Sequence, residues 1–358
     1  MKIILLPIVV LFMISFVQAQ EITIPGSQTR KITSSIVKGQ EYELQILLPA
    51  RYEKSTKQYP VVYLMDSQWD FPLLKSLYGE QYFDGFIPEM IIVGVTWGGV
   101  NPNPDSLRAR DYTPTRENRA PQSGGAAAFL SFMKTELFPY VESNYRADKY
   151  DRALVGCSLG GLFTLYALFT EPGLFQRYVA ASPAFGWGNE VIYQYEKAYY
   201  EKKSNPPARL FLIMGGVERN EPGFEKLVKF LTDRNYKTLQ FKSRVLENTG
   251  HSGTKAEGYA RGLQYVYERP SLTLSSAVLN KYTGDYQWGN GSTLTIKNEN
   301  DHLVAYLNPN NKVTLLAASE NDFYTNSEFL NVHFKNEGGK VTGFQLDLYG
   351  SSQFVAKK

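Results

Sequence analysis

Cysteine and histidine are scarce in this chain of 358 residues, and neither sign of charge prevails. One cysteine, Cys157, excludes an intramolecular disulfide and a thiolate-rich metal site, and three histidines leave little for a zinc cluster. No structural metal is expected. Lys plus Arg number 38 against 35 for Asp plus Glu, a formal charge of only +3. That is far from the basic stripe that phosphate neutralisation needs, so nucleic acid is not an expected partner. The apolar run Ile3 to Val17 falls short of a membrane span, at about fifteen residues against roughly twenty. Preceded by Lys2 and followed by Gln18-Ala19-Gln20, it reads as a signal peptide over residues 1–19. No cysteine stands at the cleavage point, which excludes a lipoprotein. The mature chain is expected to start near Gln20, to be secreted or periplasmic without stable membrane insertion, and to keep its lone cysteine buried.

What is present describes an ordinary globular protein: hydrophobic residues at 43% and charged residues at 20% exclude a disordered or fibrous chain. The length suits about two domains. From about residue 22 to 268 strand-like and helix-like stretches alternate, the pattern of a mainly parallel sheet covered by helices on both faces. Glu43 to Leu48 alternates as an edge strand would, and Val61 to Met65 and Met90 to Val95 are continuous apolar runs suited to central strands. Ala153 to Val155, Tyr178 to Ala181, Leu210 to Met214 and Leu239 to Leu246 supply later strands. Phe129, Phe132, Met133, Leu137, Tyr140 and Val141 recur at helical spacing within Ala126 to Tyr145. After Tyr267 no helical window of useful length survives. Short alternating segments are broken by Gly289-Asn290-Gly291, Asn308-Pro309-Asn310-Asn311 and Glu337-Gly338-Gly339, which predicts a small antiparallel barrel or sandwich over 279–358. The Pro- and Ser-containing stretch 269–278 reads as a linker behind a catalytic domain at 20–268.

Chemistry concentrates in Leu154-Val155-Gly156-Cys157-Ser158-Leu159-Gly160-Gly161, followed by the apolar, helix-forming Leu162 to Phe169. This matches a nucleophile elbow, in which a strand turns sharply into a helix, the serine takes a strained conformation, and glycines two before and two after remove colliding side chains. Ser158 would stand at a helix N-terminus, where the helix dipole and the Leu159 amide favour an oxyanion. The order serine, acid, histidine requires a base downstream, and His251 is the only histidine before residue 302. It lies in the loop Glu247 to Gly253, just after a strand. His302 and His333 fall in the β-rich tail and read as surface or strand residues. For the acid, Glu218 fits best, because it follows the strand Leu210 to Met214 by a short turn; Glu221 and Asp233 are rivals. A second oxyanion donor is expected from a backbone amide at Ser67 or Gln68. Trp69, Trp97 and Trp187 wall an aromatic pocket or belong to the core, and both readings stand. Arg108, Arg110, Arg116 and Arg119 cluster in one region, as an anion clamp or as a solvated charge run. Cys157 reads as a packing residue.

These residues resemble the putative esterase family of α/β hydrolases, which includes siderophore, feruloyl and acetyl xylan esterases, and within it the periplasmic IroE-like siderophore hydrolases of enterobactin and bacillibactin type. The likeness runs from about Ile22 to Glu268, through Tyr42 to Pro49, Tyr59 to Asp66, Arg110-Asp111-Tyr112-Thr113-Pro114, Gly124-Gly125 with Phe129, Glu136 to Val141, Gly156 to Phe163 and Ser182-Pro183. It implies an α/β-hydrolase fold, with Ser158, Glu218 and His251 at the triad positions and Ser67 near the oxyanion hole. Gln68, Trp69, Trp97, Arg110 and Trp187 are the expected substrate contacts. Cys157 and Ser67 stand where such enzymes often carry histidine and glycine, and Gly186 replaces one of a tryptophan pair. The tail resembles small lipocalin-like β domains. The expected protein is a secreted serine esterase that needs no cofactor or metal and acts on a small-molecule or oligosaccharide ester. A siderophore trilactone, a feruloylated or acetylated polysaccharide, and a non-enzymatic binding role on the same scaffold remain the alternatives.

Overall fold

The apolar runs become the interior strands of one mixed sheet. A computed structural model describes residues 24–203, 205–326, 330–348 and 351–358; the expected signal peptide, 1–19, lies outside them. The strands are β1 (Ser27–Thr33), β2 (Glu41–Leu47), β3 (Tyr59–Leu64), β4 (Ile91–Trp97), β5 (Ala147–Cys157), β6 (Arg177–Ala181), β7 (Ala208–Gly215) and β8 (Leu239–Leu246). Their spatial order is β1-β2-β4-β3-β5-β6-β7-β8. Strands β3 to β8 run parallel, whereas β1 and β2 pair antiparallel with each other and β2 with β4. Every residue of β4 is buried, because helices cover both faces of the sheet.

The segment expected at the sheet edge is not there. β2 lies one strand in, and β1 covers its outer side in register from Ser27 opposite Leu47 to Thr33 opposite Glu41. β1 is polar and mostly exposed, with Ile32 its only large apolar residue, so hydrophobic periodicity gives no sign of it. Backbone ladder bonds, which carry no side-chain signature, make it a strand. The Ala126 to Tyr145 helix forms, with a π turn at Met133–Leu137 just before Pro139. Proline has no N–H to continue the ladder, and the wider turn absorbs that gap.

One face of the sheet packs beneath the helices Ser67–Phe83 and Thr254–Val266, through Phe71, Leu74, Tyr259 and Leu263. The other face is thicker and rich in rings, with Tyr42, Tyr63, Phe129, Phe132, Phe138 and Phe163 all buried. The strands in this parallel block all end on one edge, and the loops there are short. That edge holds the chemistry.

The tail is a second sheet of eight antiparallel strands in sequence order, from β9 (Gly284–Gln287) through β10 (Thr293–Glu299), β11 (His302–Asn308), β12 (Asn311–Ala317), β13 (Asp322–Tyr324), β14 (Leu330–Glu337) and β15 (Lys340–Leu348) to β16 (Ser351–Ala356). It closes on itself where Tyr286 bridges Lys357 and the Lys358 amide donates to the Asp285 carbonyl at 2.8 Å, which makes it a barrel. Asn300-Asp301 and Gly338-Gly339 turn two of its hairpins with positive φ at both residues, as two-residue turns require. Tyr282, Tyr286, Phe323, Phe334 and Phe344 fill its core.

The stretch 269–278 is tied down rather than loose. Leu272 pairs with Ala317, and the short helix Ser276–Leu279 buries Leu279 in the barrel core. The guanidinium of Arg269 donates to the Gly85 carbonyl at 3.2 Å on one side and to Asn331 on the other, and rests on the Tyr324 ring at 3.8 Å. Gly85 precedes β4, so the barrel docks where the parallel strands begin. Because each sheet has its own core, a chain cut after Glu268 should unfold in one cooperative transition, which circular dichroism on heating will show. A molten or insoluble fragment would mean that the barrel supplies part of the first core.

Candidate active site

The turn at the end of β5 sets the geometry. Ser158 has φ 59° and ψ −117°, a conformation costly for a residue with a Cβ. Three backbone hydrogen bonds hold it: the Ser158 amide donates to Ala181 at 3.0 Å, and its carbonyl accepts from Leu162 and Ala184 at 2.9 Å each. A Cβ on Gly156 would come within 2.4 Å of the Gly160 backbone, and one on Gly160 would lie 3.2 Å from Met65. Both glycines are therefore there for close approach, as the elbow pattern predicts. The helix Leu159–Thr170 starts immediately after the serine, so its first amides, beginning with Leu159, have no intrahelical partner and face the turn.

A second set of free amides lies beside the first. Two residues after β3 comes Asp66, which is left-handed at φ 54° and caps the start of the helix Ser67–Phe83. The amides of Ser67 and Gln68 thus fall in a first helical turn, next to the elbow because Gly160 packs on Met65 and Asp66. Asp66 is locked from below: Arg108 donates to both carboxylate oxygens at 3.0 and 2.7 Å, and the Asp66 amide donates to the Tyr112 hydroxyl at 3.1 Å. Burial pushes the Asp66 carboxyl up, and Arg108 pulls against that. Ser67 is fully buried; Gly94 in β4 leaves room for it, since a Cβ there would meet the Ser67 Cβ at 2.5 Å.

Glu218 and His251 come from the loops after β7 and β8. Glu218 follows β7 by a turn in which its amide donates to the Gly215 carbonyl at 3.1 Å. One carboxylate oxygen accepts from the Ser182 hydroxyl at 2.5 Å and the Gly215 amide at 2.9 Å; the other lies 2.6 Å from His251 Nδ1. Burial works against the charged carboxylate, but the hydrogen bonds from Ser182, His251 and Gly215 outweigh it and hold Glu218 below the usual carboxylate range. With Nδ1 donating to Glu218, Nε2 is the imidazole nitrogen left to accept a proton. Gly215 lets the two loops meet, because a Cβ on it would sit 2.2 Å from the Thr249 carbonyl oxygen. Glu221 interacts with Glu225 along its own helix, and Asp233 is tied to Lys229 at 2.7 Å on the surface. Neither pairs with His251.

The remaining expected contacts divide. Trp69 is 49% exposed on the active edge, with the Arg108 guanidinium 5.7 Å from its ring. Trp187 is mostly buried, donates to the Thr115 carbonyl at 3.0 Å and carries Arg119 over its ring at 5.1 Å. Trp97 does not wall a pocket. It is buried in the core and donates to Asp111 at 2.7 Å. Arg110 is not a free clamp either: it donates to both oxygens of Asp111 at 2.7 and 2.9 Å, because a fully buried carboxylate requires a counter-charge. The side-chain amide of Gln68 is buried, so it is not a free substrate contact. Arg116 is exposed. Cys157 is buried and its thiol is pushed up to about 12 by burial, so it is inert at neutral pH. His302 and His333 stay in the barrel, against Asn300 and Asp322.

Sequence reading missed three features. Ser182 holds Glu218, although it was legible only as part of a Ser-Pro pair. Asp70 accepts from Lys255 and Tyr259 at 2.6 Å each, bolting the helix of the Ser67 and Gln68 amides to the helix that follows His251. Val100 and Val217, 95% and 64% exposed, stand on the loops that follow β4 and β7. A valine in a polar loop was the available signal.

The depressed carboxyl of Glu218 has a pH signature. Its folded value lies below the unfolded one of about 4.3, so its stabilisation is present above that pH and is lost as pH falls through the folded value. Ser182→Ala, which removes one hydrogen bond to the charged form, should cost about 1 kcal/mol at neutral pH and progressively less in acid. Denaturant titrations across the acid range measure this; a deficit independent of pH would exclude it.

The family model described as putative esterase matches residues 34–251, and a domain of unknown function (DUF3471) matches 268–356. The chain is 33% identical over 214 residues to the ferri-bacillibactin esterase BesA of Bacillus subtilis, covering 55% of this chain and 73% of that protein. Among solved structures, the BES protein of Bacillus cereus superposes with a TM-score of 0.63 at 29% identity, over 70% of this chain and 98% of that one. An IroE-like serine hydrolase of Shewanella oneidensis gives 0.59 at 28% identity, over 67% and 80%. With more than half its length matched by the family model, the chain belongs to the putative esterase family and is a carboxylic ester hydrolase.

Proposed function

We propose that the protein is a serine esterase of the siderophore-hydrolase kind that works outside the cytoplasm, with Ser158 as nucleophile, His251 as base and Glu218 as the acid that orients it. The observation that carries this reading is the Glu218–His251 pair at 2.6 Å, on the same sheet edge as the strained serine. His251 Nε2 takes the Ser158 proton as Oγ attacks the ester carbonyl. The amides of Leu159 and of Ser67 or Gln68 hold the tetrahedral oxyanion. His251 then passes the proton to the departing alcohol oxygen, the C–O bond breaks, and water attacks the acyl-enzyme by the same route in reverse roles. A relative named as a ferri-bacillibactin esterase supports a siderophore-type ester as substrate, and the half-exposed Trp69 offers apolar surface at the active edge. The apolar run ahead of Gln20 supports export.

Ser158→Ala should leave the fold intact and lower turnover by about four orders of magnitude, and a fluorophosphonate should label Ser158 alone by mass spectrometry. Labelling elsewhere would remove the nucleophile. Glu218→Gln should lower turnover by a factor on the order of a thousand or more, while Glu221→Gln and Asp233→Asn stay near the parent rate. The substrate is decided by comparing kcat/KM for a catecholate trilactone, feruloyl sugars and nitrophenyl esters. A preference for the feruloyl sugars would turn the reading toward a carbohydrate esterase.

A further inference from the structure

The seam between the two sheets holds a cleft of about 430 Å3, in the size range of small-molecule sites. One wall is the outer edge of β8 with the last turns of the Thr254–Val266 helix, and the other is formed by the barrel. Four cations line it, Lys242, Arg244, Arg261 and Arg269, against a single carboxylate, Glu268. Arg244 is already neutralised by Glu257 at 2.9 Å. The other three have no carboxylate partner among the described residues. Arg261 donates to the Gln264 side-chain oxygen at 3.1 Å, and Lys242 lies 5.9 Å from the Tyr265 ring. Arg269 meets only neutral acceptors, the Gly85 and Thr325 carbonyls and the Asn331 amide oxygen, with the Tyr324 ring beneath it. A partly buried guanidinium without a counter-charge is costly, and burial lowers the Arg269 pKa accordingly.

We propose that this seam binds a small organic anion bearing two or more phosphate or carboxylate groups, held by Lys242, Arg261 and Arg269. Such a ligand supplies the negative charge that the lining lacks and touches both folded units at once. Planar guanidinium groups suit either kind of oxyanion, and Lys242 adds a point charge. The site is separate from the reaction edge: Arg261 lies toward the far end of its helix from His251, and Gly85 precedes β4. It does not depend on the triad assignment.

The test is calorimetric titration of the full chain with pyrophosphate and with citrate, at ionic strength held constant with sodium chloride. Saturable binding of at least one is expected, with tighter pyrophosphate pointing to a phosphorylated ligand and tighter citrate to a polycarboxylate. The double variant Lys242→Ala, Arg261→Ala should weaken it about tenfold or more, and Lys242→Arg, Arg261→Lys should retain it. Both variants should hydrolyse a nitrophenyl ester at the parent rate. Heats equal to those of sodium chloride for both probes, or an unchanged affinity in the alanine variant, would overturn the proposal.

Discussion

The close approach of Gly156 to Gly160 is the constraint from which the rest of the site follows. Two backbone segments, the end of β5 and the first turn of the following helix, come so near that Gly156 cannot accept a Cβ, which would lie 2.4 Å from the Gly160 backbone. Ser158 is thereby forced into a conformation that an L residue avoids, and its side chain is lifted off the sheet edge at the start of a helix. The cost is met by bonds from β6 and the loop after it: Ala181 at the end of β6 accepts from the serine amide, and Ala184 donates to its carbonyl. The next residues, Ser182 and Pro183, therefore have fixed positions, and Ser182 in turn holds Glu218. Ser158 and Glu218 are linked through one short loop.

Charge is used beneath the site as scaffolding. Asp66 with Arg108, Asp111 with Arg110, and Asp70 with Lys255 are each close ion pairs with a carboxylate at most 3% exposed. Breaking such a pair leaves an uncompensated buried charge; the Asp66–Arg108 and Asp70–Lys255 pairs each fix two segments relative to one another, while Arg110 neutralises its chain neighbour. Asp66 sets the left-handed turn that presents the Ser67 and Gln68 amides. Asp111 gathers Trp97, Tyr42 and Arg110. Asp70 joins the Ser67–Phe83 helix to the helix that follows His251. Arginines that would bind an anionic substrate if free are committed to this framework.

The barrel sits on the opposite edge from Ser158, with its own aromatic core and its own closed ladder. A closed barrel has no free edge to pair with another sheet, which makes it a self-contained addition. Its attachment depends on few groups, chiefly Arg269 and the Leu272 bridge to Ala317. Their scarcity leaves the seam open enough to hold a cleft.

Local rules suffice for part of this protein. The central strands, the elbow at Ser158 and the β-rich tail are written in short-range patterns: apolar runs, glycines two positions either side of a serine, and turn residues at even spacing. The choice of His251 followed from scarcity, since no other histidine precedes the tail. Other features needed the fold. β1 is polar and is a strand only because β2 offers it a ladder. Trp97 and Arg110 looked like substrate contacts until the structure buried Asp111 against both; Arg110 is its chain neighbour, but nothing local announces that this carboxylate is buried and that the Trp97 indole turns to it. The Glu218–His251 pairing was one of three spacings open to the sequence, and the turn after β7 decided it by aiming one carboxylate at the loop after β8. Short-range chemistry determined which residues are able to react. Which of them meet was decided by tertiary packing, because the segments that come together are separated by tens of residues and joined only by burial of charge and close backbone contact.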